Sequence, residues 1–298
     1  MKNIINSITL EGPDCSGKTT LYNQIHKATN YRWNIQDRSS LSMIIHAKKY
    51  NRDTFDHIEN FKNEMYNLNN IMIILLPPWQ TILSRFNQRG DEIQNLASLR
   101  ELYCKFEEAI NEFQYLPNII VVKEEVNDNL LYSIIKQLLD YENRSFTNIS
   151  NDCVRFCLAQ KDYEAVGLNF CLYDDGSFCD IIEEDLNYKK EKDYYSEIRK
   201  KIISKIRNEI EGNNEYNRKE TTRSRRFIYT SDTCISLAHF LIRDNMLDCK
   251  YFLRSSDVKN ILHYDLNFIK SLCRSVYEEF KLENHKVKIQ VYINSAHI

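Results

Sequence analysis

The sequence predicts an α/β protein in two parts: a doubly wound parallel sheet over residues 1–142, then an α+β domain over 151–298. Three observations predict it. An apolar run feeds Gly12-x4-Gly17-Lys18-Thr19, a glycine-spaced loop that opens a helical pattern. Strand-like and helix-like segments then alternate as far as residue 142, as in a parallel sheet with crossover helices. A polar stretch, Glu142–Asn151, reads as a linker to a half of different texture.

The elements follow in order. Ile4–Leu10 reads as a strand, Lys18–Lys27 as the helix after the glycine loop, and Asn34–Asp37 as a short extended piece. Asp56–Leu68 has helical spacing. Ile71–Leu76 is a continuous apolar run, suited to a strand covered on both faces, and Pro77-Pro78 ends it. Helices are expected over Trp79–Asn87, Ala97–Phe113 and Leu130–Tyr141, with a strand at Ile119–Val122. In the second half, residues 153–181 predict short strands about a hairpin turn at Asp174-Asp175-Gly176. Tyr194–Ile210 is a charged amphipathic helix, Gly212–Thr222 a loop and Phe227–Tyr229 a strand. Ile235–Ile242 and Cys249–Leu253 read as a hairpin across Arg243-Asp244-Asn245, before a helix at Leu266–Phe280 and a strand at Val287–Ile293.

Composition narrows the function classes. The chain has 298 residues, 43% of them hydrophobic and 28% charged, which is enough for two cores. A net charge of −2 argues against bulk polyanion binding. No apolar run approaches the length of about 18 residues that a membrane span needs, and the N-terminus enters a strand rather than a signal peptide. The nine cysteines include no Cys-x2-Cys pair, so free thiols in a reducing cytoplasm are expected rather than zinc.

Gly12-x4-Gly17-Lys18-Thr19 has P-loop spacing. Its glycines let backbone N–H groups turn inward around a polyphosphate, and the following helix aims its positive end at the same anion. Lys18 is placed to reach the β- and γ-phosphates of ATP, and Thr19, with Thr20 beside it, to hold Mg²⁺. Phosphoryl transfer needs several cations around the phosphates, and Arg38, Arg85 and Arg89 are the other candidates. Arg85 and Arg89 could equally form a solvated helix face, and Asp37-Arg38 a loop-closing ion pair.

Glu11-Gly12-Pro13-Asp14-x-Ser16-Gly17-Lys18-Thr19-Thr20 resembles the P-loop of the thymidylate kinase family. Asp37-Arg38-Ser39 resembles its Asp-Arg segment, and Arg85-x3-Arg89-Gly90-Asp91-Glu92 its mobile lid. The resemblance covers residues 1–142 and implies γ-phosphoryl transfer from ATP-Mg²⁺ to a deoxynucleoside monophosphate. Asp14, Asp37 and Arg38 would lie on the acceptor side. The interval from Ser40 to Ile71 is shorter than in that family, which leaves the acceptor's identity open.

Residues from about 190 to 298 resemble thymidylate synthases and deoxycytidylate hydroxymethylases, with no counterpart of that family's N-terminal part in 151–190, so the implied fold is a P-loop sheet followed by a thymidylate-synthase-like domain. Ser224-Arg225-Arg226 resembles the paired arginines that reach a partner's nucleotide phosphate in that dimeric family, implying a homodimer through this domain. Cys234 falls at the nucleophile position, and Arg254-Ser255-Ser256-Asp257 resembles the phosphate-binding signature. His297 falls at a deoxyribose-binding histidine. Asp265, eight residues after Asp257, replaces a base-reading asparagine. A carboxylate there accepts from the N4 amine of cytosine. A thiolate at Cys234 would add to C6 of a pyrimidine, with Arg254 lowering its pKa. Cys234 could instead be a small buried hydrophobe and Asp265 a helix N-cap.

The departures are specific. Asp232-Thr233-Cys234-Ile235 replaces the usual Pro-Cys-His context, and His239 stands where a glutamine is expected. The sequence ends one residue past His297, before the segment that closes over folate, so a folate one-carbon donor is not expected. Hydroxymethylation and a catalytically dead nucleotide-binding domain both stay open. The combined expectation is a deoxypyrimidine monophosphate kinase fused to this second domain, as would serve a phage that alters its DNA bases, acting in the host cytoplasm. The alternatives are a kinase acting on hydroxymethylpyrimidine in DNA and a non-catalytic nucleotide-binding subunit.

Overall fold

The computed structural model describes residues 2–89, 95–188, 191–215, 225 and 227–298. They divide into two compact units, Ile5–Glu142 and Met1–Ile4 with Asn143–Ile298. The N-terminal residues therefore belong with the second unit. The strand expected over Ile4–Leu10 is accordingly two strands, β1 (Lys2–Asn3) and β2 (Ser7–Glu11), one in each unit.

In the unit Ile5–Glu142, β2 pairs in parallel with β3 (Ile35–Asp37) and β4 (Asn70–Leu75), and β4 with β5 (Ile119–Val122). The order is β3-β2-β4-β5. Alternation along the strands explains the layering. Ile8, Leu10, Ile71, Ile73 and Leu75 share a core with Leu21 and Ile25 of α1 (Lys18–Thr29) and Ile134 and Leu138 of α6 (Asp128–Glu142). The β4 residues between these, Met72 and Ile74, are buried on the other face, where α3 (Phe55–Met65) packs against β4. Beside it lie α2 (Ser40–Lys49) and α5 (Leu96–Phe113), while α4 (Trp79–Arg89) follows β4. Helix α2 is absent from the sequence expectation, which left residues 40–55 without an element.

In the other unit, two expectations are corrected. The stretch read as a linker is largely helix: α7 runs from Phe146 to Leu158, with Ser145 and Asn148 exchanging hydrogen bonds as a capping box. Residues 164–174 form one long strand, β6 (Glu164–Asp174), rather than short hairpin strands. Asp174 does make a turn, its Oδ1 accepting from the N–H groups of Gly176 and Phe178. Strand β6, however, pairs with β1 and with the distant β11 (Lys286–His297).

The sheet has seven strands in the order β1-β6-β11-β9-β8-β7, with β10 (Ser256–Asp257) beside β11. Here β7 is Ile228–Thr230, β8 Ile235–Arg243 and β9 Met246–Leu253. The β8–β9 hairpin turns at Asp244-Asn245, both at positive φ (47° and 58°), as a tight turn of this hand requires. Helix α9 (Leu262–Glu279) carries the chain from β9 to its parallel neighbour β11, and α8 (Lys192–Glu215) packs against α9.

Candidate functional site

The loop between β2 and α1 turns through residues that few side chains permit. Gly12 has φ 138°, and a Cβ there would stand 2.3 Å from the carbonyl oxygen of Leu75. Gly17, at φ 102°, ends the loop where α1 begins. Lys18 is buried, its Nζ donating to the carbonyl oxygens of Gly12 (2.8 Å) and Pro13 (2.9 Å). Burial lowers its pKa, Arg38 adds to that effect, and Asp14, Asp37 and Glu11 oppose it. Thr19 and Thr20 lie exposed on the first turn.

Gly17, Lys18, Thr19 and Thr20 line a cleft of about 630 Å³ together with Asp14, Asp37, Arg38, Arg85 and Arg89. It opens at the carboxyl ends of β2 and β3, where ligands of open α/β sheets sit. Arg85 is only partly exposed: its guanidinium donates to the carbonyl oxygens of Cys15 (3.2 Å) and Ser16 (3.1 Å) and pairs with Glu125 at 2.5 Å. Arg89, one helical turn on, is exposed at the cleft. Gly90, Asp91 and Glu92 lie outside the described residues.

Arg38 does not close a pair with Asp37. It binds Asp14 at 2.6 Å, and its other nitrogen lies 3.3 Å from Nε2 of His46. Burial, then Arg38, holds the His46 pKa below the ordinary histidine value. A neutral ring accepts that hydrogen bond through Nε2 and carries its proton on Nδ1. Glu11 lies beneath, fully buried. Its carboxylate accepts from the backbone N–H and hydroxyl of Ser39 (2.5 and 2.6 Å) and from those of Ser42 at the start of α2. Sequence reasoning missed Glu11, His46 and Ser42. Only the Glu-Gly-x-Asp spacing pointed toward Glu11, as a motif without a stated task.

The cleft fits a polyphosphate and its magnesium ion. It offers loop N–H groups, a buried ammonium, three guanidinium groups and a threonine hydroxyl at a helix N-terminus. Thr19 is the residue that would hold Mg²⁺.

In the second unit the candidates gather around the β7–β8 loop. The hydroxyl of Tyr194 donates to Oγ1 of Thr233 (3.1 Å) and accepts from the N–H of Ile235 (2.9 Å), fixing the loop that carries Cys234. The backbone N–H of Arg254 donates to the Cys234 carbonyl (2.8 Å), and its guanidinium to the Asp232 carbonyl (2.8 Å). The thiol at Cys234 is exposed, so it is not a core residue. Its pKa is raised rather than lowered: partial burial leads, the negative charge of Asp265 adds, and Arg254 only partly offsets them.

Asp265 is buried inside the first turn of α9, whose N-cap is Ile261, so it is not the cap. Its Oδ1 accepts from Tyr195 Oη at 2.9 Å. Asp257 binds Asn260 and lies opposite His297 in the β10–β11 pairing, while Ser255 sits half-buried between Arg254 and β10. Arg225 is exposed, whereas Ser224 and Arg226 lie outside the described residues. Across the described residues no helix is long and apolar enough to cross a membrane.

Burial pushes the Asp265 carboxyl up to about 7. The unfolded chain ionises it near pH 4, so between about pH 4 and 7 the folded protein binds the extra proton. Stability contributed at this site is therefore full at acid pH, falls as pH rises through that window and levels off above about 7. Asp265→Asn keeps an acceptor for Tyr195 and cannot ionise. We expect it to flatten that fall by up to about 3 kcal/mol between about pH 5 and pH 8, read from chemical denaturation of wild type and variant at those two pH values. Parallel pH profiles would contradict this.

No protein-family model and no curated protein matches this chain. Among solved structures, deoxyadenosine kinase from M. mycoides with the products dCMP and dCDP is 17% identical, covering 46% of this chain and all (100%) of its own, at a TM-score of 0.35. The same kinase with bound dCTP is 18% identical, covering 45% of this chain and 98% of its own, also at 0.35. Thymidylate synthase from T4 phage is 19% identical over 33% of each chain, at 0.24. Likenesses this distant specify no substrate.

Proposed function

We propose that the unit Ile5–Glu142 is a P-loop kinase that transfers the γ-phosphoryl group of ATP to a deoxypyrimidine nucleoside monophosphate. The observation that carries this reading is the cleft itself: Lys18, Arg38, Arg85 and Arg89 converge on a glycine loop at the start of α1. Lys18 would neutralise charge on the β- and γ-phosphates, and Arg85, tied to the loop carbonyls, would hold the loop and face the transferred group. Thr19 would hold Mg²⁺, which would supply further neutralisation of phosphate charge when bound. Arg38, oriented by Asp14 and His46, would hold the acceptor in line.

The second unit is read as a binding domain for a pyrimidine deoxynucleotide, with Arg254, Ser255, Asp257 and His297 on the nucleotide and Cys234 near the base. The raised thiol pKa of Cys234 and the burial of Asp265 favour binding over C5 chemistry.

The test is a phosphoryl-transfer screen with ATP-Mg²⁺ against dTMP, dUMP, dCMP, their 5-hydroxymethyl forms and hydroxymethylated DNA, with Lys18→Ala as control. Lys18-dependent transfer to a monophosphate is expected. Silence on every monophosphate overturns the assignment, and transfer to DNA alone would replace it with a DNA-base kinase.

A further inference from the structure

A second cleft, of about 490 Å³, opens between α2 and α3. Arg38 lines both this cleft and the P-loop cleft, so the two adjoin at this residue. The volume suits a small polar ligand. Met43 and Ala47 give it apolar wall, and Arg52 and His57 give it cationic or hydrogen-bonding wall.

Its one carboxylate is Glu64, on α3. Oε1 of Glu64 accepts from the hydroxyl of Ser40 at 2.7 Å. Oε2 is buried and has no hydrogen-bond partner. A buried carboxylate oxygen left in that state is costly, and a ligand N–H in the cleft that draws the Glu64 carboxylate round by a small side-chain rotation offsets the cost. An ionised carboxylate can only accept. It therefore complements an exocyclic amine such as N4 of cytosine, and it repels the O4 oxygen that uracil and thymine present at the same position.

We propose that the α2–α3 cleft is the acceptor site and that Glu64 is its specificity residue, selecting an amine-bearing base, cytosine, over uracil or thymine. The inference rests on the kinase reading for the word acceptor. Its test does not require turnover.

Equilibrium binding of dCMP and dUMP is measured by calorimetry on the full chain without ATP, for wild type and Glu64→Gln, with binding of ATP-Mg²⁺ as the check on folding. We expect wild type to bind dCMP at least about 10-fold more tightly than dUMP, the effect of one well-placed buried polar contact. Glu64→Gln, whose amide both donates and accepts, is expected to collapse that preference with ATP affinity unchanged. Dependence on Glu64 assigns the signal to this cleft rather than to the second unit. Wild type without a dCMP preference, or a preference that survives Glu64→Gln, overturns the proposal.

Should Glu64→Gln lose ATP binding, Glu64→Asp takes its place. Weaker dCMP binding with dUMP unchanged then supports the proposal, and both unchanged overturns it. Glu64-dependent dCMP binding in a protein that transfers no phosphoryl group would remove the kinase reading and leave the nucleotide site. Transfer without any Glu64-dependent preference would do the reverse.

Discussion

Lys18→Ala is expected to lower phosphoryl transfer by roughly 10³-fold, the scale seen when one preorganised charge-stabilising donor is removed, while the protein stays folded. Nζ is held by two carbonyl oxygens, of Gly12 and Pro13, and among the described residues no carboxylate pairs with it directly. Burial and the nearby Arg38 both disfavour its charge. Asp14, Asp37 and Glu11 oppose that effect at longer range, and a polyphosphate on the loop would favour the charged form further, so the two carbonyls hold the lysine where an anion would use it. Lys18→Arg is not a conservative repair, since the planar fork cannot occupy the tetrahedral position between the two carbonyls. Steady-state kinetics with ATP and the best acceptor of the screen, with a denaturation curve for each variant, checks both halves. Turnover within about 10-fold of wild type would remove the P-loop from the chemistry.

What was legible in the sequence is what local chemistry determines. The P-loop spacing is contiguous, and its glycines lie at the positive φ values that the turn demands. The buried run Ile71–Leu76 reads as a strand because both its faces are covered. The Asp244-Asn245 turn follows from two residues that tolerate the left-handed region. What escaped depends on partners far along the chain. Helix α2 begins in Asp-Arg-Ser-Ser-Leu-Ser, which reads as loop because serine competes with the backbone for hydrogen bonds. The carboxylate of Glu11 takes up Ser39 and Ser42 and lets the helix start there. The linker over Glu142–Asn151 was misread for a related reason: its polar residues include the capping box of α7, with asparagine at the position where glutamate is the usual signal. Strand β6 was broken into hairpin strands because its partner β11 is more than a hundred residues away.

The same dependence on distance governs the chemistry of the second unit. A cysteine beside an arginine in the sequence pattern predicts an acidic thiol. Partial burial, and then the negative charge of Asp265 brought in by α9, instead raise the pKa of Cys234. The second cleft was also out of reach of local reading, since Arg38, His46 and Glu64 meet only when α2 and α3 pack together.

Glu11→Ala is expected to destabilise the unit Ile5–Glu142 by more than about 3 kcal/mol, the low end for losing even two of its four charge-assisted hydrogen bonds. The carboxylate lies at 0% exposure between β2 and α2 and receives donors from two residues, backbone and hydroxyl alike. It also places negative charge at a helix N-terminus, where the peptide dipoles favour it. Alanine removes every acceptor at once and leaves the N–H groups of Ser39 and Ser42 facing a cavity. Glutamine keeps the shape but turns an NH₂ toward donors, so an intermediate loss is expected. Because Ser39 follows Arg38, release of the α2 start also frees the guanidinium from Asp14 and His46. Nucleotide binding at the α2–α3 cleft should then weaken even where the protein remains folded. Denaturant unfolding of wild type, Glu11→Gln and Glu11→Ala, followed by dCMP binding, separates the two effects. Ala and Gln variants as stable as wild type would mean that α2 is held by its packing against α3 and α5, with the buried carboxylate contributing nothing to it.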